Sequence, residues 1–149
     1  MFHFITFYLG AIIGSFAYVC VLRLPSNEDI IFKKSYCGKC SKILKWYFNI
    51  PLISYLLLNG KSKCCKKKLS QSYFFIELSF AIIFLINSFI FPIFQLILIN
   101  LIITIIIIVI LINYNEKIIF DIFTYLLIIS GIIINFFYPK LNPFDISII

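Results

Sequence analysis

Four of the five cysteines lie in one lysine-rich segment and have the spacing of a metal site. Cys37 and Cys40 are two residues apart, and Cys64 and Cys65 follow as an adjacent pair. Two thiolates on a tight turn can chelate one zinc ion, and a second pair would complete a tetrahedron. The adjacent pair departs from the usual Cys-x2-Cys spacing, and the stretch 41–63 is longer than usual. We therefore predict a zinc site from these four cysteines, with a degenerate knuckle that binds no metal as the alternative.

Two of the six carboxylates fall in or at the edge of strongly apolar segments. Ionisable groups inside a membrane are costly and are therefore candidates for function. Glu77 and Asp121 each lie about one helical turn from the inner end of an apolar segment, so they could approach each other at similar depth. For Glu77 we favour a structural role, in which its carboxylate holds helices together through hydrogen bonds.

Gly10, Gly14 and Ser15 form a small-residue pattern in the first apolar segment. Small residues four apart allow a second helix to approach closely, so we interpret this pattern as a packing face without a chemical role. His3 is the only histidine in the sequence, and there is no Ser-His-Asp set and no glycine-rich nucleotide loop. Hydrolysis by those routes has no support.

The composition predicts an all-α integral membrane protein. Of the 149 residues, 62% are hydrophobic, and the mean hydropathy is +1.08. A soluble domain of this size has no interior large enough for so many apolar side chains, so lipid must be their solvent. We predict about four transmembrane helices near residues 2–22, 73–91, 93–112 and 118–138. The corresponding divisions are a first helix in 1–22, a loop of 23–72, three helices in 73–138 and a tail of 139–149.

The cations predict the orientation, because 11 of the 13 basic residues lie between Arg23 and Lys68. Such a loop is normally cytoplasmic, which places the N-terminus outside. Anionic lipid headgroups are then the expected electrostatic partners, and nucleic acid is not. The apolar stretch 46–58 within this loop either packs over a metal-stapled core or lies in the membrane interface.

Three segments follow one another in an order and at a spacing typical of one family. They are Gly10-Ala-Ile-Ile-Gly14-Ser15-Phe16 with Arg23-Leu24-Pro25, then Cys37-x2-Cys40 with Trp46-Tyr47, Asn49-Ile50-Pro51-Leu52 and Ser54-Tyr55-Leu56, then Leu69-Ser70-x2-Tyr73-x2-Ile76-Glu77-Leu78. Together they resemble the N-terminal portion of type IV prepilin peptidases. The resemblance marks Gly14, Arg23 and Glu77 as structural or functional positions.

The resemblance implies a multi-pass aspartic endopeptidase of the bacterial inner membrane. Such enzymes remove the leaders of prepilins or pseudopilins at the cytoplasmic face, in type IV pilus assembly or type II secretion. Many of them also methylate the new N-terminus with S-adenosylmethionine. Cleavage in the family uses two aspartates, of which one opens a D-x6-P-D pattern and the other closes a G-x-G-D pattern.

The present sequence departs from the family at these catalytic positions. Asn113 stands where the first catalytic aspartate belongs, Phe120 replaces the proline, and Asp121 matches the accessory aspartate. The sequence ends at Ile149 without a G-x-G-D pattern. An aspartic dyad works because two close carboxylates share one proton, and an amide cannot take up that proton at neutral pH. We therefore expect a truncated protein whose catalysis is impaired.

Further departures affect the metal site and methyl transfer. Ser62 occupies the third cysteine position of the family and Cys65 the fourth, so it is open whether Cys64 replaces the lost ligand. Tyr18 replaces an asparagine and Phe48 an acidic residue, which weakens the expectation of S-adenosylmethionine binding. The sequence thus predicts a truncated prepilin peptidase-like membrane protein. A non-enzymatic module that binds prepilins or secretion components, or a gene-fragment relic, is the alternative.

Overall fold

The computed structural model describes residues 1–30, 32–37, 40–44, 50–117 and 121–137, and the regular elements within these ranges are helices. The helices are α1 (Phe2–Arg23), α2 (Ile53–Leu57), α3 (Gln71–Ile90), α4 (Ile93–Glu116) and α5 (Asp121–Phe137). The described ranges contain no β-strand, only two isolated bridges in the loop between α1 and α3. The prediction of an all-α architecture with the cysteines between the first two long helices is confirmed.

Three helices are long and apolar enough to cross a bilayer. They are α1, α3 and the segment Ile93–Tyr114 of α4. Helix α5 is apolar and has 17 residues as described, which is at the short end of the range for a span. Many large apolar side chains of these helices are exposed, as expected when lipid surrounds them; Phe4 is 82% exposed. The chain is therefore a membrane protein with three spans of full length in its described part.

Helix α4 extends four residues beyond the segment 93–112 that the sequence predicts as the third span. Helix α4 continues to Glu116 and is closed by Lys117, whose φ of 55° is left-handed. The amide of Lys117 donates to the carbonyl of Asn113 at 2.9 Å. The helix continues because leaving backbone groups unpaired near lipid is costly, and it ends where a left-handed residue caps its last carbonyls.

Helices α1 and α3 form the most extensive helix pair of the described fold. Gly10 and Gly14 lie where they meet: a Cβ atom on Gly10 would be 2.6 Å from the carbonyl oxygen of Phe80, and one on Gly14 would be 3.0 Å from the Cα of Glu77. The buried core beside this contact also takes in α4 and consists of Ala17, Cys20, Val21, Phe80, Phe84, Ile108 and Ile112. The small-residue pattern therefore lies at a close-packed helix contact.

Polar pairs join the helices at the end of the bundle far from the loop. The Nδ2 of Asn87 in α3 donates to the Oδ1 of Asn100 in α4 at 2.7 Å, and both residues are buried. The Nδ1 of His3 lies 2.8 Å from the Oγ of Ser88, and the His3 ring stacks on Phe89. Hydrogen bonds between helices in lipid fix their register, so these pairs hold together the end of the bundle far from the loop.

Candidate functional site

The four loop cysteines come together in space. Their Sγ atoms all lie within 4.8 Å of one another, with Cys37 buried and the other three half-buried. The Sγ of Cys37 is 3.9 Å from that of Cys65, and the Sγ of Cys40 is 3.0 Å from that of Cys64. Zinc–sulfur bonds of about 2.3 Å in a tetrahedron require sulfur atoms about 3.8 Å apart. This donor set therefore fits a single zinc-like ion after small side-chain adjustments.

The first pair of cysteines is held by a tight turn. Tyr36 and Ile43 form an antiparallel bridge at its base. The amide of Cys37 donates to the carbonyl of Lys42 at 2.9 Å, and the amide of Ser41 donates to the carbonyl of Cys37 at 2.8 Å. Ser41 has a φ of 56°, which closes the turn. The backbone thus directs two residues of the turn, 37 and 40, to one side.

The second pair is held by a turn with the same hydrogen-bond pattern. Lys61 and Lys68 form the bridge at its base. The amide of Ser62 donates to the carbonyl of Lys67 at 2.9 Å, and the amide of Lys66 donates to the carbonyl of Ser62 at 2.8 Å. Lys66 has a φ of 57°. Ser62 therefore takes the place that Cys37 has in the first turn.

The hydroxyl of Ser62 lies among the sulfur atoms. Its Oγ is 3.2 Å from the Sγ of Cys37 and 3.0 Å from the Sγ of Cys64, and Ser62 is only 4% exposed. Sequence reasoning had placed Ser62 at a lost ligand position and left the role of Cys64 open. The structure brings Cys64 into the cluster and keeps Ser62 beside it.

The thiol of Cys40 favours its protonated form, because its pKa is raised. The hydrogen bond with Cys64 is the main cause that raises the pKa of Cys40 to about 12. Only thiolates are good zinc ligands, so a bound cation would have to displace this proton. A bound metal ion would therefore stabilise these cysteine side chains as thiolates.

A buried guanidinium orders the chain that leads into the first turn. Arg23, at the end of α1, is 7% exposed. Its Nη1 donates to the carbonyl oxygens of Asp29 and Lys33, each at 3.0 Å, and the guanidinium lies 5.5 Å from the centre of the Tyr36 ring. Sequence reasoning identified Arg23 by resemblance alone. Its role here is to fix the first part of the loop to the end of a membrane helix.

A partly exposed ion pair braces the same region. The Nζ of Lys33 is 2.7 Å from the Oε2 of Glu28, and the hydroxyl of Tyr36 donates to that oxygen at 2.9 Å. The bond from Lys33, followed by the bond from Tyr36, lowers the pKa of Glu28, and the same pairing raises the pKa of Lys33. Sequence reasoning missed this group, because nothing in its spacing distinguishes it from ordinary surface charge.

Glu77 connects the loop to the helix bundle. The residue is 2% exposed, and its Oε2 accepts a hydrogen bond from the amide of Leu52 at 2.7 Å. Leu52 has a φ of 59°, which is unusual for a bulky side chain, so the bond holds a strained residue directly before α2. Tyr55 of α2 then stacks on Phe74 of α3, which seats this part of the apolar stretch against the bundle.

Glu77 and Asp121, which the sequence would allow to approach each other, lie in different surroundings. Glu77 is engaged with Leu52, whereas Asp121 is exposed at the first residue of α5, a helix that packs on α4. Asn113 lies in the last turn of α4 and is also exposed. Phe120 and Phe48 lie outside the described residues. Position 113 therefore presents an amide at the loop end of the bundle.

The comparisons with known proteins point to one family. The model of the bacterial peptidase A24 N-terminal domain matches residues 8–91, which is more than half of the chain and includes the whole cysteine loop. The match ends before Asn113, so the assignment of that position depends on the D-x6-P-D pattern alone.

Curated relatives carry a consistent name. The chain is 46% identical over 83 residues to the prepilin leader peptidase/N-methyltransferase of Vibrio cholerae, covering 50% of this chain and 33% of the relative. It is 37% identical over 78 residues to that of Myxococcus xanthus (52% and 23%) and 38% identical over 80 residues to that of Bacillus subtilis (54% and 32%). The chain thus spans no more than about a third of these relatives. No solved structure matches it.

Proposed function

The chain belongs to the family of the bacterial peptidase A24 N-terminal domain, and we propose from this premise that it is a prepilin peptidase-like protein of the bacterial inner membrane. Support comes from the relatives, which are named for acting on prepilin leaders. Further support comes from the matched region, which contains α1, the cysteine loop and α3 in one continuous stretch.

In this proposal the chain binds prepilin or pseudopilin leaders without cutting them. The observation that carries this part is the amide at position 113, at the exposed loop end of α4. General acid–base catalysis by a carboxylate contributes orders of magnitude in rate, and an amide cannot supply it. An amide at position 113 cannot take part in the proton sharing that the family's carboxylate pair requires.

A zinc ion bound by Cys37, Cys40, Cys64 and Cys65 would staple the loop. The distances between the sulfur atoms and the paired turns support this assignment. A structural zinc ion contributes directly to folding, so its role would be to hold the two turns together. Arg23 and Glu77 would then fix the stapled loop to α1 and α3 through the hydrogen bonds described above.

The loop is proposed to face the cytoplasm. Ten lysines lie between residues 33 and 68, and no acidic residue lies between Asp29 and Glu77. A loop with this charge is retained on the cytoplasmic side and is attracted to anionic lipid headgroups.

Methyl transfer is not part of the proposal. The resemblance associates position 18 with an asparagine, but the ring of Tyr18 packs edge-on against Tyr73 with centroids 4.7 Å apart. An aromatic contact thus occupies a position where the resemblance would place an asparagine, which weakens the case for methyl transfer.

The test of the proposed function is an assay for leader removal. Membranes that contain the protein are incubated with a prepilin, with a full-length relative as the positive control, and the prepilin mass is measured. We expect the mass to stay unchanged for the wild type and for Asn113→Ala. The proposal would be contradicted if the wild type removed the leader and if Asn113→Ala or Asp121→Asn abolished this removal.

A further inference from the structure

The two turns of the cysteine loop form an internal pair with unequal side chains. Each has a base bridge, two equivalent backbone hydrogen bonds and one left-handed residue. In the first turn the position that begins the pattern is Cys37, and in the second it is Ser62. A symmetric four-sulfur site would need a thiol at both positions, so the second turn lacks one ligand at the expected place.

Cys64 supplies a sulfur atom to the same space. It lies two residues after Ser62, and its Sγ is 3.0 Å from the Ser62 Oγ and 3.0 Å from the Cys40 Sγ. The adjacent thiol of Cys65 occupies the regular ligand position of the turn, and its Sγ is 3.9 Å from that of Cys37. The cluster therefore contains four sulfur atoms although one turn begins with serine.

We propose that the ligand role of position 62 has passed to Cys64, and that the Ser62 hydroxyl has become a hydrogen-bond donor to the cluster. This inference rests on the proposed metal site and specifies how this chain completes it. Ser62 is nearly fully buried, and its Oγ is within hydrogen-bonding distance of two sulfur atoms. The hydroxyl has one proton and can donate it to the thiolate of Cys37 or of Cys64.

The chemistry of the ligands favours this division of roles. Thiolates are the preferred ligands of zinc, whereas a neutral hydroxyl is a poor one. Hydrogen bonds from residues outside the ligand set orient the ligands and tune the metal, and their loss typically lowers metal affinity about 10- to 100-fold. Ser62 is thus assigned as a positioning residue and Cys64 as a ligand.

The test uses Co²⁺ as a spectroscopic probe in full-length protein in nanodiscs. The intensity of the thiolate-to-cobalt charge-transfer band counts the sulfur ligands. We expect a four-thiolate band in the wild type and about three quarters of it in Cys64→Ser. Moving the thiol back, in Ser62→Cys/Cys64→Ser, should restore the full band. Ser62→Ala should keep the full band and weaken Co²⁺ affinity about 10- to 100-fold.

The control is Cys20→Ala, because Cys20 lies in α1 and outside the cluster; this variant should keep the wild-type band. A wild-type band that is unchanged in Cys64→Ser would overturn the inference while leaving a metal site in place. The inference would also be overturned if the wild-type spectrum showed an oxygen ligand and if Ser62→Ala removed that ligand from the Co²⁺ spectrum. The absence of any Co²⁺ band in the wild type would remove the proposed metal site and this inference together.

If the double variant does not fold, Cys64→Ser alone still shows whether Cys64 is a ligand, because its thiolate count is compared directly with that of the wild type. Circular dichroism of each sample shows whether the helices are present. A three-thiolate count in the wild type is the simplest result that contradicts the assignment.

Discussion

Replacing Gly10 by alanine should separate the two helices that form the main contact of the bundle. The added Cβ atom would lie 2.6 Å from the Phe80 carbonyl oxygen, 2.8 Å from the Cβ of Phe84 and 2.9 Å from the Cα of Ala81. None of these atoms belongs to the flexible end of a side chain. The helices themselves must therefore shift by several tenths of an ångström to relieve the contacts.

The expected cost follows from the cost of overpacking. Inserting a methylene into a well-packed interior typically costs about 1–3 kcal/mol. Since about 1.4 kcal/mol corresponds to a tenfold change, the folded-to-unfolded ratio should fall about 5- to 150-fold. A shift of α1 would also move Arg23 at its end, so the loop should become more accessible at the same time.

The assay is unfolding by SDS in mixed micelles, followed by far-UV circular dichroism, with Gly131→Ala as the matched control. A Cβ at position 131 would meet nothing within 4 Å, so this variant should unfold like the wild type or slightly later, because alanine favours the helix more than glycine. If Gly10→Ala is as stable as Gly131→Ala, the close packing of α1 on α3 is refuted.

Three other predictions concern the ends of the bundle and the loop. Asn87→Ala should destabilise the protein by about 0.5–2 kcal/mol in the same unfolding assay, because it leaves the buried Asn100 without its 2.7 Å partner; an unchanged midpoint would contradict this. Arg23→Lys should increase limited proteolysis between residues 28 and 36, because a lysine cannot reproduce the several carbonyl contacts of the guanidinium; Lys34→Arg, at an exposed site, is the control. Because the pKa of Cys40 is raised to about 12, metal binding must release its proton, so apparent zinc affinity should fall as the pH is lowered from about 8 to about 6. A pH-independent affinity would contradict thiolate ligation.

The long helices could be predicted from the sequence because their signal is local. Continuous apolar runs leave no other way to satisfy the backbone in lipid, and Pro92 marks the boundary between α3 and α4. The loop cysteines were likewise predicted to form one site. The sequence carries no signal for the last four residues of α4, because the left-handed Lys117 that ends the helix is not a residue type typical of such a cap.

The contacts that organise the site could not be predicted, because they join residues far apart in sequence. The bond between Glu77 and the amide of Leu52 depends on an unusual backbone conformation that the sequence does not display. The same is true of Arg23, whose partners are carbonyl groups and therefore leave no trace in residue type. The resemblance left it open whether Cys64 replaces the ligand lost at Ser62, and only the distances between the sulfur atoms bring Cys64 into the cluster.

The most direct test of the account is photo-crosslinking of a prepilin to the cysteine loop in membranes. A benzophenone amino acid is placed at Ile43, which is 67% exposed in the first turn, and separately at Leu101, which is 53% exposed on the apolar helix α4. We predict an adduct with uncleaved prepilin from position 43 and none from position 101. The absence of an adduct at position 43, or an adduct whose pilin has lost its leader, would contradict the central claim that this chain binds prepilins without cutting them.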